Sequence, residues 1–149
     1  MVNAWRNTDA FNDDQGKTET RSSQVYSDLD LFIGRNNKTK DVSKLSNVTA
    51  VKRSVRNLVL MNEFEKPFHP EISSNVRDTL FELLTPVTAI ILARHIEDVI
   101  NNFEPRARLV SVRSLPDLDR NAYEVSVEFY VVNAPTELVD LTIMLERLR

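Results

Sequence analysis

Residues 99–110 read Val99-Ile100-Asn101-Asn102-Phe103-Glu104-Pro105-Arg106-Ala107-Arg108-Leu109-Val110, and the fold turns on them. Upstream, Ala89, Leu92, Ile96, Val99 and Phe103 recur at helical spacing, with Arg94, Glu97, Asp98 and Asn101 on the opposite face. Pro105 has no N–H and disfavours the α region in the residue before it, so the helix must stop at or before Glu104. Ala107 to Leu115 then reads as a β-type run. A carboxylate and a guanidinium therefore flank a stiff corner between a helix and a strand. Such a pair suits a polar clasp, closed either inside the fold or on a partner, or a helix end with a cation near its dipole.

Beyond the corner, residues 116–121 carry turn formers. Tyr123, Val125, Val127, Phe129 and Val131 then alternate with Glu124, Ser126 and Glu128, the mark of a half-buried strand. After a second turn at 133–136, Val139, Leu141, Ile143 and Leu145 alternate with Asp140, Thr142 and Glu146. This predicts a third strand; a helix over 136–146 is the rival, because Leu138, Leu141 and Leu145 also fit helical spacing. Before the corner, Val48, Val51, Val55, Leu58 and Val59 mark a first helix opening near Ser46 or Asn47, with Lys52, Arg53 and Arg56 on its other face. A second helix is expected from Ser73 or Ser74, with Val76, Leu80, Leu83 and Leu84 on one side. Thr85-Pro86 breaks it and starts the third. Three helices followed by a three-stranded meander make an α+β domain, helices packed on one face of a small antiparallel sheet. A sheet of three strands has two edges, and an unpaired edge is a template for a strand from another chain.

Residues 1–24 are polar, with Trp5 and Phe11 isolated, and read as an arm disordered on its own. Residues 25–47 read as an extended lead-in with a turn, and 48–149 as the domain. The 149 residues carry a net charge of −3 and no cysteine. No global basic field points to nucleic acid, and disulfides, thiolate metal sites and a cysteine nucleophile are excluded. No run approaches the ~18 apolar residues of a membrane span, and the start is unlike a signal peptide, which fits a reducing cytoplasm. Gly16 and Gly34 are the only glycines, so the rest of the chain holds no phosphate-cradling loop or nucleophile elbow. His69 and His95 lie far apart without ligand spacing; no metal or cofactor is expected.

Carboxylates are the remaining catalytic currency: Glu63, Glu65, Glu71, Glu82 and Glu104 fall on or near loops. A glycoside hydrolase needs two of them roughly 5–9 Å apart across a saccharide cleft. The only tryptophan lies in the arm, so an enzyme is not expected. Glu65-Lys66-Pro67-Phe68-His69-Pro70 is better read as a rigid presenting loop, with Phe68 either a core plug or a partner anchor. From residue 48 onward there are ten Arg and two Lys, an interface-like usage or a compositional bias. The triplet Lys52, Arg53, Arg56 is a solvated face or a surface for an acidic protein.

These runs, taken in order, resemble the baseplate wedge or sheath-initiator family of contractile phage tails, which has members in type VI secretion baseplates and contractile bacteriocins. Ala50-Val51-Lys52-Arg53-Ser54-Val55-Arg56-Asn57-Leu58 is similar to the family's Ala-Ile-Lys-x-Ser-x-x-Asn-Leu helix. Glu65-Lys66-Pro67-Phe68-His69-Pro70 resembles its Glu-Arg/Lys-Pro-Phe-x-Pro segment, Leu80-Phe81-Glu82 its Leu-Phe-Glu, and Glu104-Pro105-Arg106 its Glu-Pro-Arg signature. Tyr26-Ser27-Asp28-Leu29-Asp30 and Lys40-Asp41-Val42 resemble the phage lead-in. Phe64 stands where the family often has glycine, and Ile72-Ser73 replaces an aromatic-glycine pair. The resemblance implies a virion protein, assembled in the host cytoplasm. It would join wedge subunits near the hub and seat the first sheath ring, in several copies, six by the symmetry of such tails. Its partners would be baseplate wedge proteins, the tail sheath protein, and hub or tail-tube proteins. The residues implied at contacts are Glu104, Pro105 and Arg106; Glu65, Lys66, Pro67 and Phe68; Lys52, Arg53 and Arg56; and Leu141, Thr142 and Ile143. Some family members carry a lysozyme-like label. A peptidoglycan hydrolase using the loop glutamates is therefore the alternative, and a stand-alone binding module the second.

Overall fold

The third helix organises the molecule, a computed structural model that describes residues 26–35, 37 and 40–148. The arm expected over residues 1–24 lies outside the described residues. Two short strands, β1 (Ser27–Leu29) and β2 (Lys44–Ser46), pair antiparallel ahead of α1 (Asn47–Leu60). A one-turn α2 (Val76–Thr79) and α3 (Pro86–Phe103) follow, and then the meander of β3 (Ala107–Asp117), β4 (Ala122–Val131) and β5 (Ala134–Glu146).

α3 begins as the sequence indicates. Thr85 occupies the N-cap, its hydroxyl accepting from Thr88 N at 3.1 Å, and Pro86 opens the first turn. It ends at the proline corner, where Glu104 N still donates to Ile100 O at 2.9 Å. Its buried stripe of Ala89, Leu92, Ile96, Val99 and Ile100 meets Val51, Val55, Leu58 and Val59 of α1. Both helices lie on the sheet face carrying Val125, Val127, Phe129, Val139, Leu141, Ile143 and Leu145. Each such aliphatic side chain contributes roughly 1.5–3 kcal/mol by leaving water, and this stripe-on-sheet burial holds the domain together. The β reading of 136–146 is correct, and its helical rival is not.

The second helix is the correction. It stops after one turn; Leu83, expected on its buried side, is 70% exposed. The carbonyls that would continue it are used elsewhere. Leu80 O accepts from Leu148 N (3.0 Å), Glu82 O from Arg147 Nε (2.9 Å), and Leu83 O from Thr88 Oγ1 (3.0 Å) and Tyr123 Oη (3.4 Å). Bonds to the residues after β5, to β4 and to the start of α3 outweigh a helical spacing that propensity alone would extend. At α1, Ser46 sits in the cap position but makes no side-chain cap bond. The lead-in does form a turn, and it folds back on α1: Asn47 N donates to Tyr26 O at 2.7 Å.

Candidate functional site

Glu104 and Arg106 meet each other and α1 at the proline corner. Arg106 donates from Nε to Glu104 Oε1 (2.6 Å) and from a terminal nitrogen to Glu104 Oε2 (2.9 Å), a bidentate fork. The same nitrogen reaches Ser54 Oγ on α1 (2.9 Å), and Ser54 Oγ in turn donates to Glu104 Oε2. Tyr26 covers the guanidinium, its ring centre 5.7 Å away. The clasp is thus closed inside the fold, tying α1, the α3–β3 corner and the lead-in. Glu104 is only 3% exposed. Burial works against its charge, but the bonds from Arg106 and Ser54 prevail and hold its pKa below the ordinary carboxylate value. The Glu104 bond raises the pKa of Arg106 despite partial burial.

Beside the clasp lies a groove of about 400 Å³, open to solvent, floored by Leu58, Met61, Ile72 and Phe103 and flanked by Lys66 and Arg106. The sequence named Lys66 and Arg106 separately, and the fold puts them on one groove. Ser54 and Asn57, the fixed polar positions of the α1 motif, and Tyr26 of the lead-in motif belong to the same site, although none of them was read as a contact residue. No spacing rule connects residues 26, 54 and 104.

The Glu65–Pro70 segment forms a closed loop. Its base is pinned where Ser74 donates from N (3.3 Å) and Oγ (3.1 Å) to Met61 O. Glu65 stays exposed and folds back on the loop, accepting from Asn62 N and Nδ2, both at 2.8 Å; the backbone bond chiefly lowers its pKa. Ile72 packs against the core, whereas Phe68 is 96% exposed. Phe68 is therefore not a core plug, which leaves the anchor reading. Pro67 sits beside it on the exposed rim.

The basic triplet divides. Lys52 Nζ donates to Asp140 O of β5 at 2.5 Å. Arg53 lies 3.8 Å from Asp30 and stacks 4.4 Å from the Phe32 ring, pinning the lead-in turn. Only Arg56 faces solvent with no such tie among the described residues.

The strand phases identify the outward groups of each sheet edge. Arg147 N bonds Asn121 O (3.0 Å), in register with the β4–β5 ladder. Counting by twos, Val139, Leu141, Ile143 and Leu145 point their backbone groups at β4, while Asp140, Thr142, Met144 and Glu146 point theirs away. The Lys52 bond to Asp140 O agrees. Leu141 and Ile143 thus face inward by side chain and backbone alike, and Thr142 faces out. The open stretch is Thr142 to Glu146, bounded by Lys52 at one end and by the Leu148–Leu80 bond at the other. On β3, Val132 N bonds Arg106 O (3.0 Å), and past a bulge at Val110 the outward residues are Val112, Ser114 and Pro116.

No family model matches the chain. It is 30% identical to baseplate wedge protein gp25 of Enterobacteria phage T4 over 123 residues, 83% of this chain and 92% of that protein. Among solved structures it is similar to a putative tail lysozyme from Geobacter sulfurreducens (TM-score 0.61, 17% identity, 66% of this chain and 89% of the other). It is also similar to a chain of the anti-feeding prophage baseplate, a 6-fold symmetrised particle (TM-score 0.58, 20% identity, 84% and 88%). Both structural likenesses concern the fold.

Proposed function

The chain belongs to the baseplate wedge protein family that includes gp25 of Enterobacteria phage T4, and on that premise we propose that it is a non-enzymatic component of a contractile-tail baseplate. It links wedge subunits through the clasp groove and the neighbouring loop, and it seats the first sheath ring by strand addition to β5. Its partners are other wedge proteins, the sheath protein, and hub or tail-tube proteins. It works in the virion tail after assembly in the host cytoplasm, six copies to a ring.

The observation that carries this reading is the open stretch of β5. Thr142, Met144 and Glu146 hold outward N–H and C=O groups that no described residue pairs. An added strand gains main-chain hydrogen bonds there without needing particular side chains. Around a ring, each weak contact raises the effective concentration of the next. The hydrolase alternative fits poorly with the chemistry of the glutamates. Glu104, the buried member of the set, is spent inside the fold on Arg106 and Ser54, and the bonds it accepts hold its pKa down, the opposite of what a general acid needs.

Electron microscopy of tails carrying Thr142→Pro tests the role. The variant removes an outward N–H, so it is expected to fold and to build baseplates that fail to start a sheath. Normal extended sheaths on that folded variant would rule out strand addition. A turbidity assay on purified cell walls tests the alternative: lysis by the wild-type chain, lost in Glu65→Gln without unfolding, would establish a hydrolase.

A further inference from the structure

Phe64 and Phe68 are the only phenylalanines of the closed Met61–Ser74 loop, and both face solvent, at 78% and 96% exposure. Both also sit in the left-handed backbone region, with φ of 60° and 68°. That region is disfavoured for a bulky side chain, because Cβ crowds the following carbonyl; glycine occupies it freely. The turns closed by Glu65 N on Asn62 O (3.4 Å) and by His69 N on Lys66 O (3.3 Å) impose this conformation at their third residue, while both rings leave the backbone for water. Strained residues persist where their surroundings over-determine them, and they gather at binding sites.

The loop is built to hold that shape. Glu65 ties down Asn62, His69 Nδ1 lies 3.0 Å from Glu71 Oε1, and turn bonds run from His69 N to Lys66 O (3.3 Å) and from Ile72 N to His69 O (3.2 Å). Two prolines stiffen the rim, and Ile72 anchors it to the core. A held loop with two projecting rings binds at little ordering cost, and buried aromatic anchors carry a large share of interface energy. The same loop carries three exposed carboxylates, Glu63, Glu65 and Glu71, against one lysine, Lys66, which lines the clasp groove.

We infer that Phe64 and Phe68 form a two-pronged plug that seats in an apolar recess, rimmed by basic side chains, on a neighbouring baseplate protein. This rests on the reading of the chain as a baseplate component. It gives the loop contact of that reading its anchor residues and the chemistry of their partner, apart from the β5 edge.

The test uses full-length chain in assembled tails, with a photo-crosslinking phenylalanine analogue at position 64, 68 or, as reference, 142. Positions 64 and 68 are expected to link to one and the same baseplate protein, at apolar residues flanked by Lys or Arg. Links from 142 alone would overturn the plug and leave the baseplate reading intact. Links to tail proteins from none of the three positions would overturn that reading as well. A link from 68 to a second copy of this chain would replace the proposed partner with a self-contact. Phe64→Gly and Phe68→Gly separate binding from folding. Glycine relieves the backbone, so the melting temperature should hold or rise while incorporation into purified baseplates falls by roughly tenfold or more. A lowered melting temperature with normal incorporation would make the rings structural and the inference wrong.

Discussion

The two edges of the three-stranded sheet treat their outward backbone differently. On β3, Pro116 stands where a donor would point outward, and the bulge at Val110 interrupts the line of groups. α3 also packs along that strand. Prolines, bulges and covering helices are the devices by which proteins keep a sheet from pairing with strangers. On β5 the stretch Thr142–Glu146 carries none of them, and Lys52 guards only its start, at Asp140 O. One sheet thus shows both a blunted and an unblunted edge. The chain has the means to blunt an edge and leaves this one unblunted, which is the contrast the strand-addition proposal rests on.

The sharpest way to break this comparison is a pair of prolines one residue apart. Ile143→Pro removes an inward ladder donor and a core side chain, and should cost about 4 kcal/mol or more, enough to misfold a domain of this size. Thr142→Pro removes an outward donor and should cost about 1 kcal/mol. Urea melts of the two variants check the phase directly; equal losses would mean that the outward assignment is wrong.

A smaller effect concerns the clasp, which holds α1 and so the lysine that guards β5. Arg106→Ala leaves Glu104 buried with Ser54 alone. Losing one partner of a buried pair costs 3–5 kcal/mol, but Arg106 is partly exposed (29%), so about 2–3 kcal/mol is expected. The monomer should stay folded, melt about 6–10 °C lower and fail to enter baseplates. Normal assembly would remove the clasp groove from the wedge contact. The pH dependence has a fixed sign. Glu104 has a lowered pKa when folded, so its stabilisation is complete above the ordinary value of 4.5 and is lost as pH falls through the lowered one. Urea melts from pH 6 to 3 should show this acid loss in wild type and a shallower one in Glu104→Gln.

The smallest effects come from trading the edge devices. Pro116→Val gives β3 back its donor, and Lys52→Ala uncovers Asp140 O. Each should change stability by about 0.5 kcal/mol or less. Each should also raise self-association at high concentration, read by sedimentation velocity. A monomer in both cases would show that neither residue protects an edge.

Local pattern was enough for α1, α3 and the meander, because each buries one face and the apolar spacing reports that face directly. It failed at residues 80–84, where the spacing is helical but the carbonyls bond to Leu148, Arg147, Thr88 and Tyr123. Nor could it show that Lys52 and Arg53 of the basic triplet reach Asp140 and the lead-in within the fold.

The sequence by itself determined the α+β order, the proline corner, the alternation that assigns faces, and the motif run that resembles a family. Those are properties of neighbouring residues: a missing N–H, a period of 3.6 or 2, a charge beside a turn. Only the tertiary structure decided that Ser54 and Tyr26 complete the clasp, that Phe64 and Phe68 stand out in left-handed backbone, and that Thr142 points outward while Ile143 points in. These depend on contacts across dozens of residues and on the phase of a ladder. A one-residue shift of register would reverse the last of them without changing a single letter of the chain.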